Sequence, residues 1–168
     1  ISSVISGMEA ERDAAARAAR ALGHEVIRAE DFGASPDSPQ TTCLAGVRRS
    51  DAVVLLIGGR YGAPQSSGLS PTHEEYREAR ERCPVLIMVQ DGVEREAEQE
   101  QFLREVRDWA AGHYTASFGD PDQLRDAVAG ALHSLELTRA TGPVDADEML
   151  QRAVNLLPEA DRGGMHSG

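Results

Sequence analysis

The stretch Asp51-Ala-Val-Val-Leu-Leu-Ile57 carries the strongest signal of fold class, because an unbroken apolar run follows its aspartate and ends abruptly at Gly58-Gly59. A strand that is apolar on both faces is typical of a central parallel strand covered by helices, whereas a surface strand alternates apolar and polar residues. Pro84 opens a second run of this kind, Val85-Leu-Ile-Met-Val89. We therefore predict an α/β domain with a parallel sheet and helices on both faces.

Strand and helix patterns alternate on either side of these two runs. Further strands are predicted at residues 24–29 and 114–118, and residues 1–3 look like the end of a first strand whose start has been removed. Helices are predicted at residues 6–22, 40–49, 70–82, 94–111 and 121–137. This order predicts a doubly wound, flavodoxin-like sheet of five parallel strands with right-handed crossovers.

Two local patterns mark helix starts. Ser6-Gly7-Met8-Glu9 has the form of a capping box, so Ser6 is predicted to cap the first helix. Pro71 suits a first helical turn, so the third helix is predicted to start near Ser70 or Thr72.

The composition excludes several classes of function. The chain has 168 residues, and its 17 basic residues are all arginine against 28 acidic residues, which gives a net charge of -11. A surface this acidic repels phosphate backbones and anionic lipids, so we expect neither nucleic acid nor a membrane as a partner. Without lysine, the chain has no Walker A loop, no Schiff-base lysine and no lysine general base.

Cysteine and histidine spacing gives no metal signature. Cys43 and Cys83 are far apart, with no Cys-x-x-Cys pair, so neither a zinc site nor a disulfide scaffold is expected. The apolar runs are far shorter than the roughly 20 residues that a membrane helix needs, and no signal peptide precedes them. We therefore expect a cytoplasmic protein without a bound metal.

The domain organisation changes after residue 137. Residues 1–137 are predicted to form one nucleotide-binding domain, and residues 138–168 a linker followed by a short amphipathic helix that carries Leu150, Val154 and Leu157 on one face. The chain opens without Met, which indicates a piece of a longer protein.

Ligands of open parallel sheets bind beyond the carboxyl ends of the strands. Ser2 and Ser3, and the glycine-rich loop from Gly58 to Ser70, follow predicted strands there and offer hydroxyls and amides to a phosphate. Within that loop, Arg60 could bind a phosphate and Tyr61 could stack on a base.

Glu75 is the leading catalytic candidate from the residues alone. Glu75 and Ala79 lie one helical turn apart, and the small alanine would leave space for a ligand. Thr72-x-x-Glu75 is also a capping-box pattern, which is the structural alternative. Asp51 either points into the crevice or occupies an ordinary surface position before its strand.

Five blocks of the sequence, taken in order, resemble a known family. They are Ile1-Ser2-Ser3 with Met8-Glu9-Ala10-Glu11-Arg12, Glu30-Asp31-Phe32-Gly33, Ser50-Asp51 through Ile57 with Gly58-Gly59-Arg60-Tyr61-Gly62, Leu69-Ser70 through Ala79, and Pro84 through Val89. They are similar to the TIR-like family catalogued as domain of unknown function 4062, over residues 1–137. Val4 replaces the usual threonine, and the beginning of the first strand is missing.

That family resembles TIR domains and nucleoside deoxyribosyltransferases, which cleave N-glycosidic bonds with one glutamate on the helix after a glycine-containing loop. The resemblance places this glutamate at Glu75, followed by Ala79, and the acidic strand residue at Asp51. It implies a nucleotide N-glycosidase, with NAD as substrate rather than cofactor and nicotinamide as a product.

As part of this hypothesis, Asp51 hydrogen-bonds ribose hydroxyls, Tyr61 packs on a base or sugar, and phosphate is held by Ser2, Ser3, Gly58 and Gly59. The resemblance also implies self-association and a sensor or NTPase region fused beyond residue 137, in a larger signalling or bacterial defence protein.

Two other functions stay open at this point. One is a non-catalytic TIR-like module that self-associates or recognises a nucleotide, which a solvent-facing Glu75 and a filled crevice would favour. The other is a nucleoside deoxyribosyltransferase. The exact substrate and the activating signal do not follow from the sequence.

Overall fold

A parallel sheet forms the centre of the computed structural model, which describes residues 1–109, 113–141, 151 and 154. The strands, in their order across the sheet, are β1 Val53–Ile57, β2 Val85–Gln90 and β3 Tyr114–Phe118. Both pairings are parallel, with Leu55 opposite Ile87 and Met88 opposite Ala116. By its contacts the chain divides into two units, Ile1–Leu132 and His133–Gly168.

Helices precede, connect and follow the strands. They are α1 Glu9–Ala21, α2 Pro39–Arg49, α3 Pro71–Arg80, α4 Ala97–Asp108 and α5 Pro121–Thr141, with a 3-10 turn at Ala29–Asp31. Ser38 and Ser70 cap α2 and α3 through their hydroxyl oxygens, and a proline follows each cap at the first helical position. The predicted α/β class, with a parallel sheet flanked by helices, is confirmed.

The strands bury both of their faces. Val54, Leu56, Leu86 and Met88 pack with buried residues of α1 and α5 in one core cluster. The alternate strand residues, such as Leu55 and Ile87, pack with residues of α2, α3 and α4 in a second cluster. Since successive side chains of a strand point to opposite faces, each face has its own layer of helices. The unbroken apolar run is therefore explained by burial on both sides.

The number of strands differs from the prediction. Among the described residues the sheet has three strands rather than five. Ser2 makes a single parallel bridge with Leu55, in which its amide donates to Val54 and its carbonyl accepts from Leu56, each at 2.9 Å. Residues 24–29 form no ladder, although the Ile1 amino group donates to the Ile27 carbonyl at 2.9 Å. Within the described residues, residues 1–3 therefore contact β1 on one side and Ile27 on the other without forming a ladder on either.

The start of α1 also differs from the prediction. The helix begins at Glu9 with Met8 as its N-cap, and no side chain caps it. Gly7, at a φ of 84°, turns the chain between Ser6 and Met8, which leaves Ser6 two positions before the N-cap. The prediction that Ser6 caps α1 is therefore wrong.

The carboxyl-terminal end of α5 extends beyond the predicted boundary. The helix continues to Thr141, so residues 138–141 of the predicted linker are helical, and its last buried residue is Leu132. Apart from Gln151 and Val154, the predicted amphipathic tail lies outside the described residues. Over the part of the chain that is described, no helix is long and apolar enough to span a bilayer.

Candidate functional site

A cavity of about 610 Å³ opens beside the carboxyl end of β1. Its walls at this end come from three regions: Ser2 and Ser3 at the amino end of the chain, Tyr61 after β1, and Thr72 and Glu75 on α3. Small-molecule sites commonly have volumes of this order, about 300–1,000 Å³. The cavity also extends along the edge of β1 that, within the described residues, is paired only through Ser2.

Glu75 lies half-buried on the cavity wall, one turn into α3. Burial raises the pKa of its carboxyl group above the ordinary value of 4.5, and the Ser2 hydroxyl and the charge of Arg12 oppose this rise. In the described part of the chain, no Arg or His side chain forms an ion pair with Glu75. The site therefore presents a partly desolvated carboxylate to its cavity.

The hydroxyls of Ser2 and Ser3 have different surroundings. The Ser2 hydroxyl oxygen is buried beside Glu75 and makes no hydrogen bond of full geometry within the described residues. The Ser3 hydroxyl donates to the Val4 carbonyl at 2.7 Å and accepts from Arg12 Nη1 at 2.8 Å. Ser3 is thus committed to the protein, whereas Ser2 faces the candidate catalytic group.

Another part of the cavity wall is formed by the buried Arg12, which makes an ion pair with the exposed Glu30. Arg12 is 1% exposed, and its Nε and Nη2 donate to the two carboxylate oxygens of Glu30 at 2.8 and 2.6 Å. The guanidinium group holds the pKa of Glu30 at about 2. The pair fastens the segment after residue 28 to α1 and, through Ser3, to the amino end of the chain.

Sequence reasoning did not assign Arg12 to the site, although a signal was present. On a helix, Arg12 shares a face with residues three, four and seven positions later, which are Ala15, Ala16 and Ala19. All three alanines are buried. An arginine on an alanine face must bury its guanidinium group, and a buried guanidinium group needs an acidic partner.

A smaller cavity of about 100 Å³ adjoins the first and shares Tyr61 and Thr72 with it. Gly58, Gly59 and the exposed Arg60 line the smaller cavity. A Cβ atom on Gly59 would lie 2.5 Å from the carbonyl oxygen of Glu94, so only glycine fits there. The glycine pair allows β1 to end in close contact with the segment that follows β2.

Tyr61 belongs to a buried chain of hydrogen bonds rather than standing free in the cavity. Its hydroxyl accepts from the Ser70 amide at 3.2 Å and lies 2.7 Å from His73 Nδ1, while His73 Nε2 lies 2.6 Å from Glu105. The tautomer that satisfies all these contacts carries its proton on Nε2. Burial lowers the pKa of His73, in keeping with a neutral ring. Tyr61 is therefore held through its hydroxyl, and the 7% of the residue that remains exposed lines both cavities.

Three predicted site residues line neither cavity. Asp51 is exposed, precedes the amino end of β1 and does not line either cavity, although its neighbour Ser50 lines the large one. Ala79 is fully buried in the second core cluster, so the space expected above it is filled by packing. Ser70 is also fully buried, and its hydroxyl caps α3 by accepting from the His73 amide at 3.2 Å.

The other predicted residues are brought together. Ser2, Ser3, Tyr61 and Glu75 line the large cavity, and Gly58, Gly59 and Arg60 line the small one. Within the described residues, no group of three or more His, Cys, Asp or Glu side chains is placed to hold a metal ion.

Comparison with known proteins adds one finding to this geometry. The profile of the family described as Domain of unknown function (DUF4062) matches residues 1–139. No curated protein and no solved structure matches the chain. Because the family profile covers most of the sequence, including both cavities, the chain belongs to the DUF4062 family.

Proposed function

We propose that this domain is a nucleotide N-glycosidase, with NAD as the substrate and nicotinamide and ADP-ribose as products. The observation that carries the proposal is the position of Glu75, a partly desolvated carboxylate on the wall of an open cavity beside β1. A solvent-facing glutamate beside a filled crevice would have favoured a non-catalytic module.

The chemistry of glycoside cleavage needs such a carboxylate. The bond from the ribose anomeric carbon to the pyridinium nitrogen breaks, and its electron pair leaves with nicotinamide, which becomes neutral. The sugar develops the charge of an oxocarbenium ion, which a carboxylate stabilises electrostatically or captures covalently. Water then adds to the anomeric carbon and releases one proton. The leaving group needs no general acid, and Glu75 supplies the required negative charge.

The two cavities suggest how the parts of the substrate are placed. The Ser2 hydroxyl lies beside a carboxylate that repels phosphate, and the Ser3 hydroxyl is already bonded to Arg12. We therefore assign phosphate to the smaller cavity, where Gly58, Gly59 and the exposed Arg60 contribute backbone and a positive charge. The sugar would lie between the cavities, against the ring of Tyr61 and near Glu75.

The same observations rank the other candidate functions. The match to deoxyribosyltransferases rests partly on Asp51 and Ala79, and neither lines a cavity. Nucleotide recognition without cleavage uses the same cavities but gives the half-buried carboxylate no task. Recognition is therefore the second candidate, and its partner would again be a nucleotide.

Further parts of the proposal rest on the family resemblance alone. They are activation by self-association and control by a sensor or NTPase region fused beyond residue 137, in a signalling or defence protein. Because NAD is an intracellular metabolite, the proposed activity belongs in the cytoplasm.

The decisive experiment measures nicotinamide release from NAD by the wild type and by Glu75→Gln, each as free protein and clustered on a multivalent scaffold. Glu81→Gln is the matched control, because Glu81 lies at the end of the same helix with 63% of its side chain exposed. We expect release by the wild type and the control, and a loss of at least about 100-fold in Glu75→Gln.

Equal rates in all three proteins would contradict the assignment of Glu75. Absence of release from every clustered sample, together with NAD binding, would favour the recognition module.

A further inference from the structure

The charges around the large cavity are unequally compensated. The charged side chains that line it are Arg12, Arg28 and Glu75. Arg12 makes a two-point ion pair with Glu30, and Arg28 makes one with Asp31 at 2.8 and 3.0 Å. Both arginines are therefore neutralised by the protein itself.

Glu75 differs from both. Within the described residues, no arginine or histidine nitrogen lies within ion-pair distance of its carboxylate, and the neighbouring Ser2 hydroxyl is neutral. A carboxylate taken partly out of water without a positive partner is electrostatically costly. A ligand cation that enters the cavity would remove this cost, whereas a neutral ligand would increase it by displacing the remaining water.

We propose that Glu75 makes this site selective for ribosyl compounds whose base is cationic, such as pyridinium or N-alkylated purine ribosides, over neutral nucleosides and nucleotides. This inference rests on the proposed function for the identity of the sugar and deepens it by naming the charge of the leaving group. The same charge that improves binding also drives cleavage, because a cationic base departs as a neutral molecule.

Other charged or titratable groups act on Glu75 without replacing a ligand cation. They are the Ile1 amino group, Arg12 on α1, Cys43 on α2 and Glu74 on α3. Burial lowers the pKa of the Ile1 amino group, which is the same in wild type and variant and so does not alter their comparison. Arg12 is paired with Glu30, and Glu74 adds negative charge that strengthens the preference for a cation.

The test is a binding measurement with two ligands that differ in the charge of the base. The probes are the carbocyclic analogue of NAD, whose bond to the base is inert, in its oxidised form with a pyridinium cation and in its reduced, neutral form. Calorimetry at pH 8 compares wild type, Glu75→Gln and the control Glu81→Gln. We expect the wild type and the control to bind the oxidised form at least about tenfold more tightly than the reduced form. In Glu75→Gln this ratio should fall to about one.

A second readout follows from proton linkage. At acid pH, where Glu75 is partly protonated, binding of the cation should release protons, which calorimetry detects in buffers of different ionisation enthalpy. The neutral form should release none from Glu75. The Ile1 amino group is present in both proteins, so the difference between wild type and Glu75→Gln isolates the glutamate.

The outcomes separate this inference from the proposed function. Equal affinities in the wild type, a preference retained by Glu75→Gln, or no binding of either form at millimolar concentration would each overturn the inference. Charge selectivity that depends on Glu75, without any cleavage of NAD, would support the inference and contradict the proposed hydrolysis. Cleavage of NAD without charge selectivity would contradict the inference and support the proposed hydrolysis.

Discussion

At the scale of single residues, two glutamates near the cavity have opposite electrostatic roles. Glu30 is held ionised by Arg12, which lowers its pKa to about 2 and makes the carboxylate part of the structure. Glu75 has no such partner among the described residues, and burial raises its pKa. A carboxylate that the fold stabilises is structural, whereas one that the fold tolerates at a cost is a functional candidate.

Glu75→Gln should stabilise the folded protein at neutral pH. Because the folded-state pKa of Glu75 is raised, ionisation costs stability above its ordinary pKa of 4.5, and the cost disappears as pH falls below that value. We expect the free energy of unfolding to rise by about 1 kcal/mol at pH 7.5 and to be unchanged near pH 3.5. Urea unfolding of the wild type and the variant at both pH values measures this difference in the free energy of unfolding. Destabilisation at pH 7.5 would show that Glu75 is a structural residue.

Glu30→Gln should have the opposite pH dependence. Because Arg12 lowers the folded-state pKa of Glu30 to about 2, its carboxylate contributes stability above the ordinary value of 4.5. That contribution is lost as pH falls toward 2. We therefore expect the variant to be less stable than the wild type at pH 7, with a difference that narrows below pH 4.5. A constant difference across this pH range, in acid unfolding followed by circular dichroism, would contradict this role.

At the scale of elements, the loop between β1 and α3 positions most of the site. Its glycine pair allows close approach to the segment after β2, and the Gly59 carbonyl accepts from the Glu96 amide at 2.9 Å. The Glu96 carboxylate in turn accepts a hydrogen bond from the Tyr61 amide at 2.9 Å. The loop is thereby attached to the start of α4 on one side and, through Tyr61 and Ser70, to α3 on the other.

Gly59→Ala should destabilise the protein through this contact. The added Cβ would lie 2.5 Å from a backbone oxygen of Glu94, which cannot move without disturbing the segment before α4. We expect a loss of about 1–3 kcal/mol in the free energy of unfolding. Gly33→Ala is the control, because its Cβ would meet nothing within 4 Å, and we expect a change within about 0.5 kcal/mol. Equal effects of the two substitutions would show that the close approach is unimportant.

At the scale of the whole molecule, the core lies within the first unit. All the buried hydrophobic residues of the described chain fall between Met8 and Leu132, and the family match ends at residue 139. The sheet, helices α1 to α4, the buried residues of α5 and both cavities belong to Ile1–Leu132.

A chain that ends at Thr141 should therefore fold like the full sequence. We expect its thermal midpoint to lie within about 2 °C of the value for the 168-residue chain. A chain that ends at Gly119 is the control, because it lacks α5 and its buried Leu124, Val128 and Leu132, and we expect it not to fold. A large loss of stability in the chain that ends at Thr141, measured by differential scanning calorimetry, would place part of the core beyond that residue.

Several features followed from residues that are neighbours along the chain. The apolar runs predicted β1 and β2, and Ser70-Pro71 predicted the start of α3. These predictions are confirmed because periodicity and capping act over a few residues. The prediction that the loop after β1 carries site residues stays a prediction. The same local reasoning failed at Ser6, where the turn at Gly7 displaces the cap.

Other features depend on residues that are distant in sequence, and only the folded chain brings them together. Arg12 meets Glu30 across 18 positions, and His73 meets Glu105 across 32. The absence of a ladder at residues 24–29 and the positions of Asp51 and Ala79 outside the cavities also depend on which surfaces meet. Amino-acid order established the α/β class and the candidacy of Glu75. Tertiary packing established which of the charges around the cavity are compensated, because desolvation and ion pairing are properties of the assembled core.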